Sequence, residues 1–280
     1  MSRYKIIHTT GFKYQGEVAA SYNEARLLPV RDESQLVFAT KLDVQPHGSV
    51  HEYFDYFNTR SVMFEVLEPH SELTITSTSV VELRPQIKPA PGLGWSDLAG
   101  EITSSLELTD AVAQTKRTHP PAEVSKFAKK FADTLTPHET ALAICQKVFG
   151  AISYKHGVTG VNSLASEAWS SKIGVCQDFA HVTIGALRAV GIPARYVSGY
   201  LHPDKEPKLG VTAVGESHAW VEWWAGSWFA FDPTNDCDVV DRHVVVGRGR
   251  DYDDVPPLRG VYAGPFASEL FVTVEITKEA

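Results

Sequence analysis

The stretch Gly174-Val-Cys-Gln-Asp-Phe-Ala-His181 begins the segment with the clearest structural pattern in the chain. Apolar residues recur after it with helical spacing, at Phe179, Val182, Ala186, Leu187 and Val190. Gly191 and Pro193 then stop the pattern, which predicts a helix over residues 176–190. Cys176 therefore falls at a helix N-terminus, where unpaired N–H groups and the helix dipole favour a thiolate over a thiol.

Two predicted strands downstream carry a histidine and an aspartate. Alternating apolar residues indicate strands over 218–224 and 228–232, and the glycine-containing turn between them makes the pair a hairpin. Because the chain runs up one strand and back along the other, Asp232 returns to the level of His218. A nucleophile, a base and a group that orients the base are then all present.

Other functions for these cysteines and histidines have to be weighed. A lone cysteine is usually a small buried hydrophobe, and a lone histidine in a strand is usually satisfied locally. Cys145 is predicted to face the core, and Cys237 begins no helix. A metal site formed by Cys176, His181 and His218 is the alternative, but no second Cys or His stands at zinc-like spacing. We predict no metal and no cofactor.

The rest of the chain predicts an α+β protein. Up to residue 84 the pattern alternates as in strands, which favours an antiparallel β-sandwich, and residues 84–94 contain three prolines and two glycines. Helices and then an antiparallel sheet follow, which is the order of papain-like folds. We predict a β-rich N-terminal domain at 1–85, a linker and connection at 86–121, and a catalytic core at 122–280.

Composition excludes several classes of protein. The chain has 280 residues and a formal charge of −8 without a basic patch, which argues against a nucleic-acid partner. It contains no apolar run of the roughly 20 residues that a bilayer span requires and no signal-peptide pattern, so no membrane partner is predicted. Three cysteines favour free thiols over a disulfide framework. We expect a cytoplasmic protein, and the oligomeric state is left open.

Four segments resemble the core signature of the transglutaminase-like superfamily. They are Gly174-Val-Cys-Gln-Asp-Phe-Ala-His181, Gly191-Ile-Pro-Ala-Arg-Tyr-Val-Ser-Gly-Tyr200, Ser217-His-Ala-Trp-Val-Glu222 and Phe231-Asp-Pro-Thr-Asn235. Residues 3–84 also resemble the β-rich domain that precedes the core in bacterial members. The resemblance implies that Cys176, His218 and Asp232 form a catalytic triad. Calcium sites and extra β-domains of the archetypal enzymes are not found in the sequence, so calcium-dependent crosslinking is not implied.

The sequence thus predicts a cysteine-dependent amide hydrolase, a protease, peptidase or amidase that acts on a peptide, a protein or a small amide through a thioester. Transglutaminase-type acyl transfer to an amine and a catalytically silent peptide- or protein-binding module are the alternatives. The N–H of Cys176 is predicted to be one oxyanion donor, with Tyr154 and Trp169 as candidates for the second. Gln177 and Trp220 are candidates to line the substrate groove.

Overall fold

The computed structural model describes residues 2–84, 92–157, 160, 162–215 and 217–280. Most of the proline-rich stretch that predicted a domain boundary therefore lies outside the described residues. In chain order the elements are β1 (Ser2–Val18), β2 (Ala20–Ala25), β3 (Gln35–Gln45), β4 (Ser49–Phe54), β5 (Arg60–Val66), β6 (His70–Leu83), α1 (Trp95–Ser104), α2 (Leu106–Val112), α3 (Ala122–Ala132), α4 (Pro137–Phe149), β7 (Ser153–Tyr154), α5 (Ala165–Ser171), β8 (Ile173–Gly174), α6 (Cys176–Ala189), β9 (Ala194–Leu201), β10 (Thr212–Gly215), β11 (Ser217–Trp224), β12 (Trp228–Asp232), β13 (Cys237–Asp238), β14 (His243–Gly249), β15 (Leu258–Ala263) and β16 (Ser268–Lys278).

Two antiparallel sheets form the predicted β-sandwich. One has the strand order β10-β16-β1-β6-β3 and the other β15-β2-β5-β4. Alternate residues of β1, β5 and β6 point into the space between the sheets, where Val18, Phe64 and Ile75 share one apolar core. This alternation is the period-2 pattern of a sheet with one buried face. The predicted fold class, a β-sandwich followed by an α+β core, is confirmed.

The core is built around helix α6. Every residue from Gln177 to Arg188 is buried, because α6 packs against α3, α4 and α5 and also against strands β9 and β11. Those strands belong to a third antiparallel sheet, the core sheet, with the order β13-β12-β11-β9-β14. Cys145 on α4 is fully buried in the same apolar cluster, as the helical periodicity predicted. The helices of the described chain are all too short or too polar to cross a bilayer.

The last two strands correct the predicted extent of the core. The sequence placed residues 258–278 with the core, but β16 pairs with β1 and β15 pairs with β2, so both strands complete the sandwich. The alternating pattern of a strand identifies its buried face and does not identify its partner strand. The predicted boundaries at residues 85 and 121 stay predictions.

Buried polar side chains join the sandwich to the core sheet. Gln35 is fully buried, and its amide nitrogen donates to the carbonyls of Val30 and Val245 at 2.6 and 2.7 Å. Its amide oxygen accepts the N–H of Val245 at 2.9 Å. Val245 lies on β14, the edge strand of the core sheet, so the sandwich covers that edge. Arg248, also on β14, pairs with Asp32 of the sandwich and with the buried Glu222 of β11.

A buried histidine at this interface predicts acid lability. Nδ1 of His8 lies 2.9 Å from the hydroxyl of Tyr200, which itself donates to the carbonyl of Leu27. Burial lowers the pKa of His8 to about 4, whereas the unfolded chain binds this proton near pH 6.5. Because the unfolded state binds more protons between these values, His8 removes stability as the pH falls from about 6.5 towards 4.

We expect the His8→Gln variant to resist acid better than the wild type. At about pH 4.5 the wild type should lose about 2 kcal/mol more of its unfolding free energy, relative to neutral pH, than the variant loses. Urea unfolding at several pH values measures both losses. If the two proteins lose the same amount of unfolding free energy, His8 does not carry the acid lability.

Candidate active site

Cys176 is held at the start of α6 by the carboxylate of Asp178. Asp178 is fully buried, and one of its oxygens accepts the N–H of Val175 at 2.8 Å while the hydroxyl of Ser163 donates to the other. Gly174 allows this approach, since a Cβ there would lie 2.7 Å from the Cβ of Asp178. The N–H of Cys176, as the first residue of the helix, has no carbonyl one turn earlier to bond to. Cys176 as a residue is partly exposed.

His218 lies between a carboxylate and the thiol. It sits on β11 opposite Gly199 of β9, and its Nε2 lies 2.7 Å from Oδ2 of Asp232. Burial acts to lower the pKa of His218, but the hydrogen bond to Asp232 and the proximity of Cys176 outweigh it and raise the pKa to about 10. Because Nε2 faces Asp232, Nδ1 is left for the sulfur. At neutral pH the arrangement therefore favours an imidazolium next to Cys176.

Asp232 is fully buried and accepts five hydrogen bonds. Oδ1 accepts the backbone N–H groups of Thr234 and Asn235 at 2.9 and 3.2 Å. Oδ2 accepts from His218, from the side chain of Asn235 at 2.7 Å, and from Nε2 of His243 at 3.3 Å. Burial acts to raise the pKa of Asp232, but the hydrogen bonds from the two histidines hold it well below its usual range. The structure thus joins His218 to Asp232 by a hydrogen bond and places Cys176 close enough to act on the pKa of His218.

His243 is the site residue that sequence reasoning missed. The sequence indicated a strand over 243–246 but gave no reason to place it beside Asp232. The two residues lie on β14 and β12, which are not neighbours in the core sheet. Only the bonding around Asp232 identifies His243, because neither spacing nor hairpin geometry connects the two residues.

The candidate oxyanion donors differ in what surrounds them. Tyr154 lies on β7, directly opposite Gly174 of β8, and its side chain is partly exposed. Trp169 is buried, and its indole N–H already donates to the carboxylate of Glu123 at 2.9 Å. Trp169 would have to give up this bond to act as the second donor, and Tyr154 stays a candidate.

The two candidate groove residues also differ. Gln177 is 8% exposed in the first turn of α6, beside Cys176. Trp220 is 0% exposed, and its ring packs against His218 and His243 at centroid distances of 6.2 and 5.3 Å. The prediction that Trp220 lines the groove is therefore wrong: Trp220 shares a face of β11 with His218, but its ring is covered by Val197 and Val245. It forms a wall behind the two histidines.

One cluster of three metal-ligating side chains occurs in the part of the chain that the structure describes. Single ligand atoms of His218, Asp232 and His243 lie within 4.8 Å of one another. Both imidazoles direct Nε2 at the same carboxylate oxygen at hydrogen-bond distance. A metal ion could bind here only if both hydrogen bonds were given up.

Comparison with known proteins agrees with this architecture. Residues 4–82 match the bacterial transglutaminase-like N-terminal region, and residues 125–233 match the transglutaminase-like superfamily. An uncharacterized protein of Mycobacterium leprae is 40% identical over 281 residues, covering all of both chains. The chain belongs to the transglutaminase-like superfamily. Cys176, His218 and Asp232 lie within the segment that matches the superfamily, whereas His243 lies beyond it.

Two further proteins are similar to this chain, one over its whole length and the other over a short segment. A crystal structure of a proposed cysteine protease from Cytophaga hutchinsonii superposes with a TM-score of 0.77 at 22% identity, covering 100% of this chain and 92% of that one. This likeness shows a shared fold. A protein-glutamine gamma-glutamyltransferase of Pseudomonas aeruginosa is 34% identical over 88 residues, which are 30% of this chain and 13% of that protein.

Proposed function

We propose that the protein is a cysteine-dependent amide-bond hydrolase with Cys176 as nucleophile, His218 as acid and base, and Asp232 as the residue that orients His218. One observation carries the proposal: Nε2 of His218 lies 2.7 Å from the buried carboxylate of Asp232, and Cys176 is close enough to help raise the pKa of His218. Membership of a superfamily that is generally enzymatic supports it. The proposed substrate is a peptide or protein amide, or a small amide.

The reaction follows from the order of these groups. The Cys176 thiolate attacks the carbonyl carbon of the amide, and the oxyanion that forms accepts the N–H of Cys176 and, in our proposal, the hydroxyl of Tyr154. His218 donates its proton to the leaving nitrogen, the C–N bond breaks, and a thioester remains. Neutral His218 then takes a proton from water, which attacks the thioester. The acid product leaves, and the thiolate–imidazolium pair is restored.

Acyl transfer to an amine is the second candidate, favoured by the 88-residue likeness to a gamma-glutamyltransferase. Both reactions form the same thioester and differ only in the acceptor. We propose the cytoplasm as the location, because a free and partly exposed Cys176 suits a reducing compartment.

The nucleophile is tested by alkylation with iodoacetamide. At about pH 6 we expect Cys176 to react at least about 100-fold faster than Cys145 or Cys237, because Cys176 begins helix α6 and lies next to the His218 imidazolium. Burial raises the pKa of the thiols of Cys145 and Cys237. Mass spectrometry of tryptic peptides locates the label, and Cys176→Ser is the control. Equal labelling of Cys176 and Cys237 would contradict the assignment.

The reaction class is tested with dimethylated casein, whose lysines cannot act as acceptors, in the presence of a fluorescent primary amine. New peptide fragments indicate a peptidase, ammonia with neither fragments nor fluorescent casein indicates an amidase, and ammonia together with a fluorescent casein indicates acyl transfer. Each product counts only if Cys176→Ser abolishes it. Selective alkylation of Cys176 with none of these products on casein or on small amides would favour the silent binding module.

A further inference from the structure

The carboxylate of Asp232 accepts a hydrogen bond from a second histidine, which has no part in the proposed reaction. His243 is fully buried, and its Nε2 lies 3.3 Å from the same Oδ2 that accepts from His218. We infer that His243 is a positioning residue, which fixes the Asp232 carboxylate and through it the orientation of His218. This inference rests on the proposed function, because it assigns His243 a role in the same site.

Hydrogen bonding defines which nitrogen of His243 carries the proton. The N–H of Val240 donates to Nδ1 at 3.3 Å, so Nδ1 offers a lone pair and the proton is on Nε2. Burial lowers the pKa of His243, which keeps the ring neutral. A neutral ring donates a hydrogen bond to the carboxylate but adds no second positive charge, so the His218 imidazolium stays the cation that pairs with Asp232.

The hydrogen bond from His243 restrains the oxygen of Asp232 that orients His218. The backbone groups hold only Oδ1, whereas Oδ2 is the atom that receives His218. Asn235 and His243 both donate to Oδ2 and restrict rotation of the carboxylate about its χ2 angle. Without His243 we expect the carboxylate to sample orientations in which Oδ2 no longer faces Nε2 of His218.

The surroundings of His243 restrict its own movement. The ring of Trp220 meets it edge-on, at an interplanar angle of 77°. Two residues further along β14, Val245 is bonded by the Gln35 side chain and by the backbone N–H of Val30. The sandwich thus fixes the edge strand that carries His243, which gives the N-terminal region a part in positioning the site without supplying a reacting group.

Two substitutions test the inference. His243→Phe keeps a ring of similar bulk but removes the donor, and His243→Gln keeps an N–H that can reach Asp232. We expect His243→Phe to slow alkylation of Cys176 at about pH 6 by about 10- to 100-fold, the range seen when outer hydrogen-bond partners are removed from metal-bound histidines. His243→Gln should recover most of the rate. His202→Phe, at another buried histidine, is the matched control and should leave the rate unchanged.

The pH profile of alkylation separates positioning from structure. A purely structural role would lower the unfolding free energy of His243→Phe and leave the pH profile of Cys176 unchanged, and that result would overturn the inference. If His243→Phe does not fold, the comparison of His243→Gln with the wild type decides. A folded His243→Gln variant would equally overturn the inference if it were alkylated as slowly as the Cys176→Ser variant, in which only the other cysteines remain to react.

A nitrogen NMR spectrum of histidine-labelled wild-type protein tests the hydrogen bond without any reaction. We expect the His243 ring to show a protonated Nε2 and an unprotonated Nδ1, with the Nε2–H resonance shifted in Asp232→Asn. The opposite tautomer would overturn the inference even if Cys176 is reactive. If the expected tautomer is found but the wild-type Cys176 labels no faster than Cys237, the proposed function fails and the bond between His243 and Asp232 stands.

Discussion

Asp232→Asn is expected to slow alkylation of Cys176 at about pH 6 by at least about 100-fold and to lower turnover by about 10⁴-fold, as loss of the orienting carboxylate does in other triads. An asparagine offers one oxygen in place of two, so its NH₂ group would face either the three donors at Oδ2 or the two backbone N–H groups at Oδ1. The His218 imidazolium would also lose its buried counter-charge. Rates of alkylation and of product formation from casein measure the two effects.

The control for this variant is Asp236→Asn. Asp236 is exposed and lies close to Asp232 in sequence, and asparagine tolerates its φ of 49°. We expect Asp236→Asn to keep the wild-type rates. If Asp232→Asn also keeps them, Asp232 only ends its strand, and the proposed order of nucleophile, base and orienting group is wrong.

Gly199→Ala is expected to lower the unfolding free energy by at least about 3 kcal/mol, at the upper end of the cost of overpacking. A Cβ at this position would lie 2.1 Å from the carbonyl oxygen of Val244 and 2.5 Å from the ring of Trp220. The carbonyl belongs to β14, which pairs with β9, and the ring is fully buried. Neither neighbour can move away without separating the two strands or displacing the wall behind the histidines.

Urea unfolding of Gly199→Ala measures this cost, and Gly215→Ala is its matched control. Gly215 is also a strand glycine, but the nearest atom to its added Cβ is 3.7 Å away. We expect Gly215→Ala to change the unfolding free energy by no more than about 0.5 kcal/mol, as most open surface sites do. Similar values for the two variants would show that the β9–β14 contact relaxes freely around the new methyl group.

Features that depend on neighbouring residues could be predicted from the sequence. The helix predicted at 176–190 is found at Cys176–Ala189, and the hairpin strands agree within one residue. Periodicity reports which face of an element is buried, and glycine and proline report where the element ends. The same hairpin predicted that Asp232 returns to the level of His218, but the register pairs Val221 with Phe231, which puts Asp232 level with Trp220. The Asp232 carboxylate still reaches His218, so the hairpin predicted the pair but not its register.

Features that depend on distant segments could not be predicted. His243 meets Asp232 across strands that are not neighbours, and the burial of Trp220 depends on packing with Val197 and Val245 of the more distant strands β9 and β14. The return of β15 and β16 to the sandwich is of the same kind, since an alternating strand fits either sheet. In each case the missing information was the partner segment and not the local conformation.

The pairing of β1 with both β6 and β16 has a consequence for synthesis of the protein. One neighbour of β1 is made soon after it, but the other begins at residue 268, which is 268 − 18 = 250 residues after β1 ends. At about 5–20 residues per second a ribosome needs roughly 10 to 50 seconds to cover that distance. Throughout this interval one edge of β1 stays open on the nascent chain. Open edges of this length pair readily with other strands, so neighbouring chains on one message compete with β16 for the same edge.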